Sequence, residues 1–189
     1  MTFKNAFEIG AGDSSSCILG RLSNQIENIF LFEPNPILRA DLIKTYNNTS
    51  NIIISGNAIG PEDKVEDFYN FGYASFLKGA DSFVKLSYDY DAEFYLKQLI
   101  SKVIVVTIDK IDNGNIDLLL INCNGSEMFV LDKLVSRPLI INTKYYVHNA
   151  KQWNHYNKIT AWMEKNKYKI KEYTTNELGI YFDINFCLK

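Results

Sequence analysis

Short runs of apolar residues alternate along this chain with segments in which apolar residues recur at helical spacing. Runs rich in β-branched residues favour buried strands. Their alternation with amphipathic helices is typical of a parallel sheet that helices cover on both faces. The pattern predicts strands near residues 5–9, 31–33, 51–58, 103–108, 116–122 and 138–141. It predicts helices that begin near residue 14 or 15 and that cover about 35–46, 127–135 and 153–167.

Two regions depart from this alternation. Residues 64–90 lack helical periodicity, and their apolar positions suggest a β-excursion and a loop that covers the ligand-binding edge described below. Residues 168–173 and 179–184 form two strand-like runs joined by a polar turn, so the chain is expected to close with an antiparallel strand pair. We expect one α/β domain over residues 1–189.

The turn after the first strand contains the residues of a nucleoside-binding edge. Gly10 and Gly12 permit a sharp turn and a close approach of the backbone to a ligand. Glu33 ends the second strand about twenty residues later, where a carboxylate accepts hydrogen bonds from two ribose hydroxyls. Asn57, at the end of the third strand, is placed to bond the edge of an adenine.

Dinucleotides and S-adenosylmethionine both suit such an edge. The third glycine of the dinucleotide fingerprint is replaced by Ser15, and Asp13 puts negative charge where a pyrophosphate would lie. The sulfonium and ammonium groups of S-adenosylmethionine tolerate that charge. The closing antiparallel pair also favours a Rossmann-like, seven-stranded methyltransferase sheet, so S-adenosylmethionine is the cofactor that we favour.

Composition excludes some classes of function. The 189 residues carry a formal net charge of -2, which argues against a nucleic-acid partner. No apolar run has the length of a membrane span and no secretory signal precedes the first strand, so we expect a cytoplasmic protein. Cys17, Cys123 and Cys187 lack zinc-site spacing and are expected to be reduced thiols, with no metal bound.

Several motifs, in this order, resemble FkbM-type S-adenosylmethionine-dependent methyltransferases over nearly the whole chain. They lie at residues 7–11, 32–36, 57–60, 72–75, 106–111 and 121–127. The resemblance implies O-methylation of a hydroxyl on a sugar, a polyketide or a related metabolite. It also implies cofactor contacts at Glu8, Gly10, Gly12, Glu33, Asn57 and Ala58, to which we add Asp13 and Asn122 as candidates.

Departures from the family pattern affect the proton chemistry. Asn122 and Asn124 stand where the family usually has carboxylates, although Glu127 remains. An amide binds a substrate but takes no proton at neutral pH. His148 and His155 are the two histidines, and each is a candidate general base.

These observations leave three hypotheses. The first is an O-methyltransferase, and the second is a non-catalytic binding or scaffold protein that keeps the cleft. A nicotinamide-dependent oxidoreductase comes third. The acceptor is expected to be a small molecule or a glycan, with a homo-oligomer or a partner subunit completing the pocket unless residues 64–90 form a lid.

Overall fold

The computed structural model describes residues 2–80, 100–147, 150–175 and 181–189. These residues contain eleven strands and four α-helices, numbered here in chain order. They are β1 (Phe3–Ile9), α1 (Ile18–Arg21), β2 (Ile26–Phe32), α2 (Pro36–Tyr46), β3 (Ile52–Ser55), β4 (Ala58–Ile59), β5 (Lys64–Tyr69), β6 (Phe76–Leu77), β7 (Ile100–Val106), β8 (Leu118–Ile121), α3 (Glu127–Leu131), β9 (Ile140–Tyr146), α4 (Ala150–Lys165), β10 (Tyr168–Thr175) and β11 (Tyr181–Leu188).

The main sheet has seven strands in the order β10-β11-β9-β8-β1-β2-β3. The strands from β9 to β3 run parallel, and β11 lies antiparallel between β9 and β10. The predicted seven-stranded sheet with a C-terminal antiparallel pair is therefore confirmed. Because β1 lies between β8 and β2, the carboxyl ends of these three strands meet at one edge of the sheet.

Apolar side chains cover both faces of this sheet. All four residues of β8 are buried, with Leu119 and Ile121 in one core cluster and Leu118 and Leu120 in the other. A strand buried on both faces has a continuous apolar sequence, which is why this run was recognisable. Within the described ranges, no helix is long and apolar enough to cross a bilayer.

A second sheet packs beside the edge of the first. Its four strands follow the order β4-β7-β5-β6, and residues Ala58, Phe68, Leu77, Val103 and Val105 belong to its core. The strand predicted at 103–108 lies here as β7, which spans Ile100–Val106. Of the excursion predicted at 64–90, residues 64–80 form β5, β6 and the turn between them, and residues 81–90 lie outside the described part.

The first helix differs from its prediction. It begins at Ile18 and its N-cap is Cys17, whereas we expected it to begin at Ser14 or Ser15. The Ser14 hydroxyl instead donates to the Asp41 carboxylate (2.5 Å), and the Ser15 hydroxyl donates to Asp13 (2.8 Å). These bonds hold the serines in a turn before the helix.

The strand predicted at 51–58 divides into β3 of the main sheet and β4 of the second sheet, and the other boundaries shift by a few residues. The predicted second helix is confirmed as α2, with Asn35 as its N-cap accepting from Ile37 N and Leu38 N. The strand expected to end near residue 141 continues to Tyr146, because β11 pairs along its whole length. The last helix begins at Ala150, three residues earlier than predicted.

Candidate active site

A cleft opens at the edge where β1, β2 and β8 end, and it encloses about 620 Å3 including the solvent at its mouth. Phe68 and Leu77 of the second sheet form part of its wall. The structure brings six of the eight candidate cofactor residues to this cleft: Gly10, Gly12, Glu33, Asn57, Ala58 and Asn122.

The glycine turn after β1 brings the strand ends together. Gly10 and Gly12 have φ values of 78° and 70°, in the left-handed region that favours glycine. A Cβ atom on Gly10 would lie 2.0 Å from the Asn122 carbonyl oxygen, so a side chain here would displace the end of β8. On the other side, Gly10 N donates to Phe32 O (2.9 Å), which joins the turn to β2.

Glu33 presents a buried carboxylate to the cleft. Its side chain is 5% exposed in a wall of the cleft, and its two oxygens accept from Gly12 N and Asn35 N, each at 2.8 Å. Burial raises the pKa of this carboxyl to about 7, although the two backbone donors work in the opposite direction. Each oxygen keeps acceptor capacity for a ligand hydroxyl.

Glu8 lies behind the cleft and does not line it. Its oxygens accept from Ile18 N (3.0 Å) and Leu19 N (2.8 Å), and Cys17 Sγ lies 3.3 Å from one of them. Burial raises the pKa of this carboxyl. Glu8 thus binds the N–H groups of the first two residues of α1.

Asp13 lies outside the lining residues, beside the glycine turn. Its carboxylate accepts from the Tyr73 hydroxyl (2.5 Å) and from Ser15 N and Ser16 N. The bond from Tyr73 is the main reason that the pKa of Asp13 falls to about 2. Asp13 therefore carries a negative charge at neutral pH, as the choice of a cationic cofactor requires.

A turn between β5 and β6 closes one side of the cleft, and we call residues 71–75 the cleft turn. Asn124 donates from one side-chain nitrogen to Tyr73 O (2.9 Å) and Ser75 O (3.1 Å). Asn35 donates to the Ser75 hydroxyl (3.1 Å). From the sequence we inferred only that Asn124 cannot act as an acid, and we did not predict these hydrogen bonds. The residues that accept them lie about fifty positions away, and no local pattern marks them.

Glu127 and His155 form a pair, and neither residue is among those that line the cleft. His155 Nε2 lies 2.9 Å from Glu127 Oε2, and the Glu127 side chain is almost completely buried. Gly125 N also donates to this carboxylate (2.9 Å), which fixes its position behind the turn that follows β8. His148, the other candidate base, lies outside the described residues. No cluster of His, Cys, Asp and Glu suited to a metal ion occurs among the residues that are described.

Taken together, the parallel strand order, the antiparallel β11 and the acid beside a glycine turn define the fold class of S-adenosylmethionine-dependent methyltransferases. The sequence matches the methyltransferase FkbM domain family over residues 8–170. This chain therefore belongs to the FkbM methyltransferase family, as its motifs had indicated. The search of curated proteins found no match.

Solved structures share the fold at low sequence identity. Methyltransferase FkbM from Methylobacillus flagellatus is 12% identical with a TM-score of 0.62, and the match covers 98% of this chain and 43% of that one. Fibrillarin from Aeropyrum pernix, solved with natively bound S-adenosyl-L-methionine, is 12% identical with a TM-score of 0.53, over 98% and 66% of the two chains. A putative RNA methyltransferase from Pyrococcus horikoshii is 7% identical with a TM-score of 0.53, over 99% and 75%. This chain thus spans less than half of the FkbM structure.

Proposed function

We propose that this protein binds S-adenosylmethionine in the cleft and transfers its methyl group to a hydroxyl oxygen of a carbohydrate or a related metabolite. The observation that carries the proposal is the Glu33 carboxylate, which is buried beside the glycine turn and retains acceptor capacity for two hydroxyls. A ribose supplies two such hydroxyls on neighbouring carbons. Family membership and the S-adenosylmethionine bound to the fibrillarin fold support the same choice.

The other lining residues divide the cleft into two ends. Asn57 and Ala58, on the β3 side of Glu33, would flank the adenine. The glycine turn and Asn122, on the β8 side, would hold the amino-acid end. The negative charge of Asp13 at this turn favours a cationic ligand over a pyrophosphate.

Methyl transfer to a hydroxyl also requires a proton acceptor. When bound, the cofactor supplies an electrophilic methyl group on a sulfonium, and the sulfur keeps the electron pair of the broken bond. The acceptor oxygen forms the new bond to carbon and loses its proton to a base. We assign that base to His155: in the tautomer whose Nε2–H donates to Glu127, Nδ1 carries the lone pair that would take the proton.

Calorimetric titration with S-adenosylhomocysteine tests the cofactor site. We expect micromolar binding by the wild type and a loss of at least tenfold in Glu33→Ala, because two charge-assisted hydrogen bonds disappear. Glu27→Ala is the matched control, since Glu27 is exposed on β2 and away from the cleft. Absence of wild-type binding, or protection by NAD in place of S-adenosylhomocysteine, would contradict the proposal.

The role of His155 is tested with a labelled methyl donor and a panel of hydroxyl acceptors, chiefly sugars. His155→Ala should reduce turnover by about 100-fold or more while S-adenosylhomocysteine binds as before. Glu127→Gln should also slow turnover, because the amide can reverse the ring's preferred tautomer. Unchanged turnover in His155→Ala would refute the assignment. If the wild type bound cofactor but methylated nothing in the panel, the scaffold hypothesis would be favoured.

A further inference from the structure

We propose that the hydroxyl of Ser126 hydrogen-bonds the amino-acid end of the bound cofactor, and so acts as a positioning residue for the methyl group. This inference rests on the proposed function and names a contact within the same cleft. It comes from a buried hydroxyl for which the described residues supply no partner.

Ser126 precedes α3 at the N-cap position, where a serine side chain normally accepts from the backbone of the first turn. Here the side chain makes no capping bond. The neighbouring Glu127 carboxylate instead accepts from Gly125 N. Ser126 is 2% exposed, and its Oγ has no hydrogen-bond partner among the residues described.

A buried hydroxyl without a partner destabilises the folded protein, because it has given up its bonds to water. Such a group in a native structure indicates a missing partner, either a water molecule or a ligand. Ser126 borders the cleft together with Gly10, Asn122 and Cys123, so a ligand in the cleft reaches its side of the wall.

The strand order shows which part of the cofactor reaches Ser126. Glu33 follows β2 and Ser126 follows the turn after β8, and β1 with its glycine turn lies between these two strands. Strands two positions apart are separated by about 10 Å. A cofactor whose ribose binds Glu33 and which crosses the glycine turn therefore brings its amino and carboxylate groups towards Ser126. A hydroxyl can accept from an ammonium or donate to a carboxylate.

Comparing the binding of two ligands distinguishes this contact from the other contacts in the cleft. S-adenosylhomocysteine has the amino-acid end, and 5′-methylthioadenosine keeps the adenosine and the sulfur but lacks that end. For Ser126→Ala we expect about tenfold weaker binding of S-adenosylhomocysteine and unchanged binding of 5′-methylthioadenosine. Glu33→Ala should weaken both ligands. The unliganded Ser126→Ala protein should melt no lower than the wild type, because the hydroxyl has no hydrogen-bond partner among the described residues.

Thr143→Val is the matched control. The Thr143 hydroxyl is also buried without a hydrogen-bond partner in the described part of the chain, but Thr143 does not line the cleft. Its variant should bind S-adenosylhomocysteine like the wild type. The inference is overturned if Ser126→Ala binds S-adenosylhomocysteine normally or loses both ligands equally. If the wild type binds neither ligand, the proposed function itself fails.

Discussion

Glu33 is a buried acid that also lines the cleft. Only 5% of the residue is exposed, and its carboxylate accepts two backbone hydrogen bonds. Burial disfavours the charged form more than the donors favour it, and the pKa rises to about 7. The protonation state of Glu33 therefore changes close to neutral pH, and with it the capacity to accept hydrogen bonds from a ribose.

This raised pKa predicts pH-dependent cofactor binding. Above pH 7 the carboxylate is anionic and accepts two hydroxyls, and below pH 7 its bound proton weakens one of those bonds. We expect the dissociation constant for S-adenosylhomocysteine to rise severalfold between pH 8 and pH 6. Titrations at both pH values would check this, with Glu33→Gln as the variant in which the dependence should be much smaller. An equal dependence in both proteins would show that another group is responsible.

The same shift has a consequence for stability. Because the folded pKa lies above the unfolded value of 4.5, the folded protein binds this proton more tightly between pH 4.5 and 7. The contribution of Glu33 to the free energy of unfolding is thus fully present below about pH 4.5 and is lost as the pH rises through 7.

At the scale of elements, the cleft turn is held by side chains that are distant in sequence. Asn124 donates to two carbonyl oxygens of this turn. The hydroxyl of Tyr73, which belongs to the same turn, donates to the Asp13 carboxylate beside the glycine turn. A carboxylate at position 124 has no hydrogen to donate to a carbonyl and would be repelled by both. The amide at position 124 therefore has a structural role here.

Removing this amide should loosen the cleft turn. Asn124 has a φ of 49°, so Asn124→Gly deletes the side chain without straining the backbone. We expect faster dissociation of S-adenosylhomocysteine and roughly tenfold weaker binding, measured by stopped-flow fluorescence and calorimetry. Asn48→Gly, at an exposed position after α2, is the control and should bind normally. Wild-type dissociation kinetics in Asn124→Gly would exclude a role for this contact in retaining the cofactor.

In the molecule as a whole, Asp112 joins the segments that precede β8 and β9 of the main sheet. It follows β7 of the second sheet, is 2% exposed, and accepts from Gly114 N (2.9 Å), Val135 N (2.8 Å) and Ser136 N (2.6 Å). The Ser136 hydroxyl donates to the same carboxylate and accepts from Ile116 N, just before β8. One carboxylate thus accepts hydrogen bonds from backbone N–H groups of the segments that lead into β8 and β9.

Loss of this carboxylate should destabilise the whole fold. Asp112→Ala leaves several buried donors without a partner, and we expect the free energy of unfolding to fall by about 3 kcal/mol. Urea denaturation followed by circular dichroism measures the change. Asp109→Ala, at an exposed position three residues earlier, should alter stability by less than about 0.5 kcal/mol. A similar small change in Asp112→Ala would show that water replaces the carboxylate.

The strands of the main sheet, most helices and the glycine turn with its nearby acid could be predicted from the sequence alone. An apolar run such as that of β8 indicates a strand that is buried on both faces. The Gly10–Gly12 turn and Glu33 are recognisable because they lie within about twenty residues of each other. These features depend on residues that are close together in the chain, so the sequence pattern indicates them. The first helix was misplaced because the hydrogen bonds of Ser14 and Ser15 depend in part on Asp41, which belongs to another element.

Which distant residues come into contact could be seen only in the folded structure. The Glu127–His155 pair, the bonds from Asn124 to the cleft turn and the pairing of β7 with β4 and β5 join positions between 28 and 51 residues apart. The fold also leaves the Ser126 hydroxyl without a hydrogen-bond partner among the described residues, although a serine at an N-cap position is expected to cap its helix. Sequence periodicity records how much of each residue is buried, whereas the identity of its neighbours depends on the path of the whole chain.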